Sequence, residues 1–122
     1  MVQPSTIPNA GDGLFTLDDI EEGALVLCET GVGIKRPDAK RILTDPAWTH
    51  ANPVIQLNKN RFLDIRALVM YKMNHALSED HRCNVFVDRT GNAEVSCTAL
   101  RDIRAGEELM WEYWPTWYPT TG

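Results

Sequence analysis

The sequence predicts a mainly β fold with little helix, and three observations predict it. Short runs of apolar and β-branched residues recur along the chain, with Gly, Asn, Asp or Pro at most of their ends. Residues 84–88 and 93–97 flank a Thr-Gly-Asn turn and form the clearest hairpin. The signals of an α-helix are confined to residues 37–43. A chain of 122 residues supports one hydrophobic core, so we expect a single domain over residues 1–122.

A hairpin and one strand are expected in the first thirty residues. Residues 6–15 carry a turn in which Gly11 and Gly13 are free to take positive φ, with apolar residues on both sides. A polar turn at residues 18–23 follows. The apolar run at residues 24–28 then predicts a buried strand.

The pattern is weaker across residues 30–60, which we interpret as a variable insert. Pro37 suits the first turn of the short helix at residues 37–43, because a helix leaves its first N–H groups unpaired. Two short strands are expected next, at residues 54–57 and 61–65.

The remaining elements are short. Asn58 or Asn60 suits a left-handed turn position. One helical turn is expected ahead of Asn74. After the hairpin, residues 100–103 predict a short strand, and residues 109–113 predict the last strand.

Charge and hydropathy exclude several function classes. The net charge is −5 with a pI near 5.1, and no Lys/Arg block is present, so direct nucleic-acid binding is disfavoured. An acidic protein attracts basic partners, of which a lysine-rich peptide is one. No apolar run is long enough to span a membrane, and the N-terminus lacks the features of a signal peptide. We therefore expect an intracellular protein without membrane association.

The cysteines indicate neither a disulfide framework nor a metal site. Cys28, Cys83 and Cys97 form an odd set without C-x-x-C spacing. We expect reduced thiols that are buried or half-buried, and no bound metal.

Three motifs occur in a fixed order. They are Gly11-Asp12-Gly13-Leu14-Phe15, Asn74-His75-Ala76 and Gly106-Glu107-Glu108-Leu109-Met110-Trp111-Glu112-Tyr113. Each is ordinary alone, but together they resemble the signatures of the SET-domain protein lysine methyltransferases. The resemblance covers residues 6–29 and 74–114. It implies a β-clip-like fold of several short sheets, with a knot-like C-terminal arrangement.

The resemblance also implies roles for particular residues. Those expected to bind the cofactor, S-adenosylmethionine, are Gly11, Asp12, Gly13, Leu14, Phe15, Asn74 and His75. Tyr113 is expected to be the catalytic tyrosine. Trp111 and Tyr71 are expected to line the substrate channel with it. A His75 base is a weaker alternative.

The family's activity is transfer of a methyl group to a protein lysine. Small free-standing SET proteins, including viral ones that methylate host histone H3, resemble this chain in length. Histone H3 is therefore the first substrate expected, with a nuclear location if that holds and a cytoplasmic location otherwise. Such compact forms can form homodimers. Glu79, Asp80 and Glu112 are candidates for an acidic lip that receives basic residues of the substrate, and the aromatic tail at residues 115–122 for a cover over the site.

Two other interpretations stay open. Tyr71-Lys72-Met73 precedes Asn74, where the family usually has a sequence similar to Arg-Phe-Ile, and Trp111 stands where Phe or Tyr is usual. These departures motivate a catalytically degenerate module that binds cofactor or a basic peptide. The other interpretation is an unrelated small β protein with no affinity for the cofactor.

Overall fold

The computed structural model describes residues 1–8, 11–46, 53–57, 60–77, 79–89 and 93–113. Within them the strands are β1 (Val2–Pro4), β2 (Asp12–Phe15), β3 (Leu25–Thr30), β4 (Val32–Lys35), β5 (Val54–Gln56), β6 (Arg61–Asp64), β7 (Asn74–His75), β8 (Val85–Arg89), β9 (Glu94–Ala99) and β10 (Glu108–Trp111). The helices are α1 (Arg36–Leu43) and a 3-10 helix (Val69–Lys72). The prediction of a mainly β fold with little helix is confirmed.

Seven strands form the larger sheet, in the order β1-β2-β10-β8-β9-β3, with β7 also paired to β10. The hairpin of β8 and β9 is confirmed and is extended on its far side by β3. The last strand, β10, pairs antiparallel with β2 and parallel with both β7 and β8. Elements from the start, middle and end of the chain therefore meet at β10.

The segment that we interpreted as a variable insert forms a second sheet. Its strands run antiparallel in the order β4-β6-β5, and α1 packs on them. Pro37 lies in the first turn of α1, as predicted. The buried residues Ala39, Val54 and Phe62 form a small apolar cluster of their own between the helix and this sheet.

The main core lies between the larger sheet and the segment before β7. Its largest fully buried members include Met70, Met73, Ile103 and Trp111. The 3-10 helix confirms the predicted helical turn ahead of Asn74. Met70 in this helix and Met73 directly after it are buried and hold the segment to the core, because burying a Met side chain contributes roughly 1.5–3 kcal/mol.

The first hairpin lies earlier than expected. Its strands are β1 and β2, whereas Ser5 and Thr6 leave the sheet and use their polar groups elsewhere. Gly11 has a φ of 73°, as a turn glycine can, but Gly13 has no positive φ and lies within β2.

Two expected strands differ from the prediction. The β3 strand forms, but its residues are exposed or half-buried rather than buried, because β3 is an edge strand and Leu25 faces outward opposite Thr98. Residues 100–103 do not form a strand. Ile103 makes an isolated bridge to Ile20, while the Leu100 N–H turns back to the Asn84 carbonyl.

One expectation for a single residue was also wrong, and a second is tested at only one of its two positions. Cys28 is exposed, because it lies on the outward face of β3, whereas Cys83 and Cys97 are buried as expected. Asn60 is not left-handed: among the described residues other than glycine, positive φ occurs at Ala93 (63°). Asn58 lies outside the described residues. No helix in the described part of the chain is long and apolar enough to cross a membrane.

Candidate functional site

The three sequence motifs meet along β10. In the parallel ladder with β7, Met110 lies opposite Asn74 and Trp111 lies opposite His75. In the antiparallel ladder with β2, Leu109 lies opposite Leu14. Backbone hydrogen bonds therefore fix the Gly-x-Gly motif and the Asn-His motif to the same strand.

Gly13 lies directly over the side chains of the other two motifs. A Cβ at this position would lie 2.4 Å from Glu108 Oε2 and 3.2 Å from Asn74 Nδ2. A side chain at this position would require the Glu108 carboxylate to move, so the contact as it stands depends on glycine. The second glycine of the motif thus permits close approach, while the first, Gly11, provides the turn.

The Glu108 carboxylate joins β10 to two other segments through four hydrogen bonds. It accepts hydrogen bonds from Ser5 Oγ (2.8 Å), Thr6 N (2.8 Å), Thr6 Oγ1 (2.6 Å) and Asn74 Nδ2 (2.9 Å). We call this group of bonds, under Gly13, the Glu108 junction. Burial by itself raises the pKa of Glu108, but the bonds from Thr6, Asn74 and Ser5 outweigh it, so the pKa lies below its usual value.

The two adjacent glutamates of the last motif, Glu107 and Glu108, have separate roles. Glu107 faces away from the junction, where its carboxylate accepts hydrogen bonds from Arg101 Nη2 (3.0 Å) and from the Arg104 N–H (3.1 Å). It therefore stabilises the turn before β10. A cavity of about 410 Å³ adjoins the Glu108 side chain, with Phe15 and Met110 among its lining residues.

Asn74 presents an oxygen acceptor at the site. Its amide nitrogen donates to the Asp12 carbonyl (3.1 Å) and to Glu108 Oε2 (2.9 Å). Because both donors are used, the orientation of the amide is fixed. Within the part of the chain that the structure describes, no donor reaches Oδ1, which leaves it available to a ligand N–H.

His75 holds the backbone of Tyr113. Its Nδ1 accepts the Tyr113 N–H at 2.9 Å, and the two rings lie with their centroids 5.0 Å apart. A neutral imidazole whose Nδ1 accepts carries its proton on Nε2. The Nδ1 lone pair is thus engaged, and the residue as a whole is exposed.

The Tyr113 hydroxyl is a fixed, neutral phenol. It donates to the Met73 carbonyl at 2.8 Å. Burial, with a smaller contribution from Tyr71, raises the pKa of Tyr113 to about 12. With its proton directed at Met73, the oxygen still has lone pairs that can accept a hydrogen bond.

The two other expected channel residues lie in different environments. Tyr71 is half-buried, and desolvation raises its pKa, with Arg66 lowering it and Asp64 raising it. Trp111 is only 2% exposed within the main core and contacts Tyr113 with ring centroids 5.1 Å apart. The ring of Trp111 therefore packs against the ring of Tyr113 from the main core. Its role as a wall of the substrate channel stays a prediction.

Asn84 is a site residue that the motifs did not single out. It is 1% exposed, and its side chain donates to the Glu108 carbonyl (2.8 Å) and accepts from the Met110 N–H (2.9 Å). These two bonds extend the contact between β8 and β10 beyond the backbone pair that Trp111 of β10 makes with Val85 of β8. The available signal was an Asn at the start of a predicted strand, a position where Asn is usually depleted.

Of the three residues expected to form an acidic lip, Asp80 is already paired with an arginine. Arg82 binds the Asp80 carboxylate through Nη2 at 2.8 Å, and these hydrogen bonds lower the pKa of Asp80 to about 2. Glu79 and Glu112 are exposed. The aromatic tail at residues 115–122 lies outside the described residues. In the described ranges no group of three or more His, Cys, Asp or Glu side chains could hold a metal ion.

Comparisons with known proteins agree with this architecture. A model of the SET domain matches residues 11–114. Histone-lysine N-methyltransferase SETD7 of Halocynthia roretzi is 22% identical over 120 residues, which cover 90% of this chain and 30% of that protein. The chain thus spans about a third of the length of this curated relative.

Solved structures with the same fold include the Polycomb Repressive Complex 2 of the fungus Chaetomium thermophilum, ctPRC2. Its autoinhibited conformation bound to S-adenosylmethionine superposes with a TM-score of 0.77 at 26% identity. A complex of ctPRC2 with H3K27me3 gives the same TM-score at 25% identity. Each match covers 98% of this chain and 15% of the other chain. The SET fold predicted from the sequence is confirmed.

Proposed function

Because this chain belongs to the SET-domain family, we propose that it is a protein lysine N-methyltransferase that uses S-adenosylmethionine. The observation that carries the proposal is the convergence on β10 of Gly13, Asn74 and Tyr113, which are far apart in the sequence. One site can thereby bind a cofactor beside a phenol. Residues 1–122 would act as one domain.

The groups around Asn74 suit the amino-acid end of the cofactor. Asn74 Oδ1 can accept a hydrogen bond from an ammonium group, since no donor reaches it within the described residues. The backbone of Gly11, Asp12 and Gly13 lies alongside, since the Asp12 carbonyl accepts the Asn74 amide, and the space that a side chain at Gly11 would fill is open among the described residues. Leu14, Phe15 and His75 complete the proposed cofactor-binding residues.

The chemistry requires a neutral lysine amine next to the methyl donor. S-adenosylmethionine supplies a methyl group on a positively charged sulfur. Free lysine has a pKa of about 10.4, so the protein must favour the neutral amine. An apolar aromatic channel does so by desolvating the ammonium form. Tyr71 and Tyr113 provide half-buried ring surface of that kind, and Trp111 holds the ring of Tyr113.

Tyr113 would orient the amine. Its proton is directed at the Met73 carbonyl, so the phenol oxygen acts as an acceptor toward an amine N–H. At neutral pH the phenol stays protonated, because its pKa is raised to about 12. Tyr113 would therefore act by alignment, which places the nitrogen lone pair toward the methyl, rather than as a base.

Histone H3 is the proposed substrate. The similarity to a histone-lysine methyltransferase and to a structure of ctPRC2 in complex with H3K27me3 supports it. The net charge of −5 favours a basic partner in general. A nuclear location would follow from this substrate. The homodimer stays a prediction, which sedimentation equilibrium tests.

A second candidate function is a catalytically inactive SET module that binds cofactor or a basic peptide. The burial of Trp111, which is 2% exposed, favours it, because a side chain inside the core offers little surface to a channel. A module that binds cofactor would resemble the methyltransferase in cofactor binding and differ from it in methyl transfer.

Calorimetry with S-adenosylmethionine, followed by radiolabel transfer to mixed histones, tests both. Binding with transfer supports the methyltransferase. Binding without transfer to any histone supports the module, and absence of cofactor binding contradicts the methyltransferase and leaves only a module that binds a basic peptide.

A further inference from the structure

The segment that precedes the Asn-His motif is capped by a residue from another strand. Glu29 of β3 accepts the Val69 N–H through Oε1 (2.8 Å) and the Met70 N–H through Oε2 (2.9 Å). These are the first two N–H groups of the 3-10 helix Val69–Lys72. The first N–H groups of any helix have no partner inside the helix. Glu29 supplies that partner from about forty positions earlier in the chain.

The position of Glu29 is unusual for a carboxylate. In the β3–β9 ladder it lies opposite Val95, which is fully buried, so its side chain is on the inward face of the sheet. A charged group on such a face is costly unless hydrogen bonds satisfy it. Both carboxylate oxygens are used by the helix. The local N-cap residue, Leu68, makes no side-chain cap, so Glu29 has no local substitute.

The capped helix positions the amine side of the site. It carries Tyr71, and the residue after it, Met73, provides the carbonyl that binds the Tyr113 hydroxyl. The cofactor side is held independently, since Asn74 is fixed by Glu108, the Asp12 carbonyl and the ladder with β10. If the first residues of the 3-10 helix moved, the phenol groups of Tyr71 and Tyr113 would therefore shift before Asn74 did.

We propose that Glu29 is a positioning residue for the reacting amine: by capping the 3-10 helix it sets the place of Tyr71 and of the carbonyl that orients Tyr113. The proposal rests on the methyltransferase function. Glu29 does not contact the substrate in this account. It acts through the helix and the phenols that the helix locates.

Two variants and one control test this role. Glu29→Ala removes both acceptors, and Glu29→Gln keeps one oxygen for one of the two N–H groups. Glu22→Gln is the control, because Glu22 is an exposed turn residue and loses the same charge. Each is assayed for S-adenosylmethionine affinity, for kcat with histone substrate well below the melting temperature, and for amide hydrogen exchange at Val69 and Met70.

We expect Glu29→Ala to lower kcat roughly tenfold or more, with Glu29→Gln intermediate. Cofactor affinity should stay within roughly twofold of wild type. Exchange at the two amides should accelerate roughly tenfold or more in the alanine variant. The Glu22→Gln control should match wild type in all three measurements. A role limited to stability would lower the melting temperature without this division between kcat and cofactor affinity.

Two results would overturn the proposal. One is a parallel loss of kcat and cofactor affinity, and the other is an unchanged kcat despite faster exchange at Val69 and Met70. If the wild-type protein binds cofactor but methylates no histone, the proposed methyltransferase function is contradicted. There is then no reacting amine for Glu29 to position. Wild-type activity is therefore measured before the variants.

Discussion

Replacing Gly13 by alanine tests the close contact between the first and last motifs. The new Cβ would lie 2.4 Å from Glu108 Oε2 and 2.9 Å from Glu108 Cδ, well inside van der Waals contact. The end of a glutamate side chain can usually move out of the way. Here four hydrogen bonds hold the carboxylate in the Glu108 junction, so moving it breaks contacts to the N-terminal segment and to Asn74.

The cost follows from those two effects. Overpacking costs about 1–3 kcal/mol, and each hydrogen bond to a charged group contributes about 1.5–3 kcal/mol before water replaces it. The cavity of about 410 Å³ beside Glu108 gives the displaced carboxylate a hydrated place to go, which limits the loss. We expect a destabilisation of about 2–4 kcal/mol, or a melting temperature lower by roughly 10 °C.

The chain offers a matched control in Gly33→Ala. Gly33 also lies in a strand and has no positive φ, and among the described residues beyond its chain neighbours no atom lies within 4 Å of its hypothetical Cβ. That variant should be neutral or more stable by up to about 1 kcal/mol, because alanine loses less backbone entropy on folding. Urea unfolding of both variants gives the stability difference, and calorimetry gives the affinity for S-adenosylmethionine.

Gly13→Ala should also weaken cofactor binding roughly tenfold, about 1.4 kcal/mol, since displacing Glu108 releases the Asn74 amide. Equal stability of the Gly13 and Gly33 variants would refute the packing argument. A destabilised Gly13 variant with unchanged cofactor affinity would show instead that the Glu108 junction contributes to stability only. Orienting Asn74 for the cofactor would then not depend on Glu108.

Three further predictions concern single side chains. Tyr113→Phe loses the bond to the Met73 carbonyl and should keep cofactor affinity while losing at least about tenfold in methyl transfer (about 1.4 kcal/mol); equal activity removes the tyrosine from the mechanism. Asn84→Ala leaves the Met110 N–H unpaired in the interior and should cost about 2–4 kcal/mol in urea unfolding, a loss under 1 kcal/mol being inconsistent with the ladder. Because the pKa of Glu108 is lowered, its stabilisation is complete above its unfolded pKa of about 4.3 and is lost as pH falls through the folded value. The stability difference between wild type and Glu108→Gln should therefore shrink on acidification, and a constant difference would contradict the role of the charge.

Local patterns in the sequence predicted most of the regular structure. The β8–β9 hairpin and α1 follow from signals only a few residues apart: a turn sequence between apolar runs, and a proline at the start of a helix. The face that a strand buries was less predictable. Residues 24–28 are apolar, yet β3 is an edge strand, and its sheet position depends on partners far away in the sequence.

The candidate site was predicted only where the motifs mark it. The meeting of Gly13, Asn74 and Tyr113 agrees with the order of the motifs, while their roles in binding and catalysis stay predictions. The supporting residues were missed for a physical reason. Glu29 and Asn84 look like ordinary strand and turn residues, and their function comes from partners between about 25 and 41 positions distant. Such long-range pairing has no periodic signal.

The central claim is that one site aligns a lysine amine with a methyl donor beside Tyr113. The most direct test incubates the protein with S-adenosylmethionine carrying a deuterated methyl group and with histone H3, followed by peptide mass spectrometry. The account predicts labelled methyl groups on lysine with the wild-type chain and a loss of at least about tenfold with Tyr113→Phe. Cofactor bound at the site with no labelled lysine, or equal labelling by the two proteins, would contradict it.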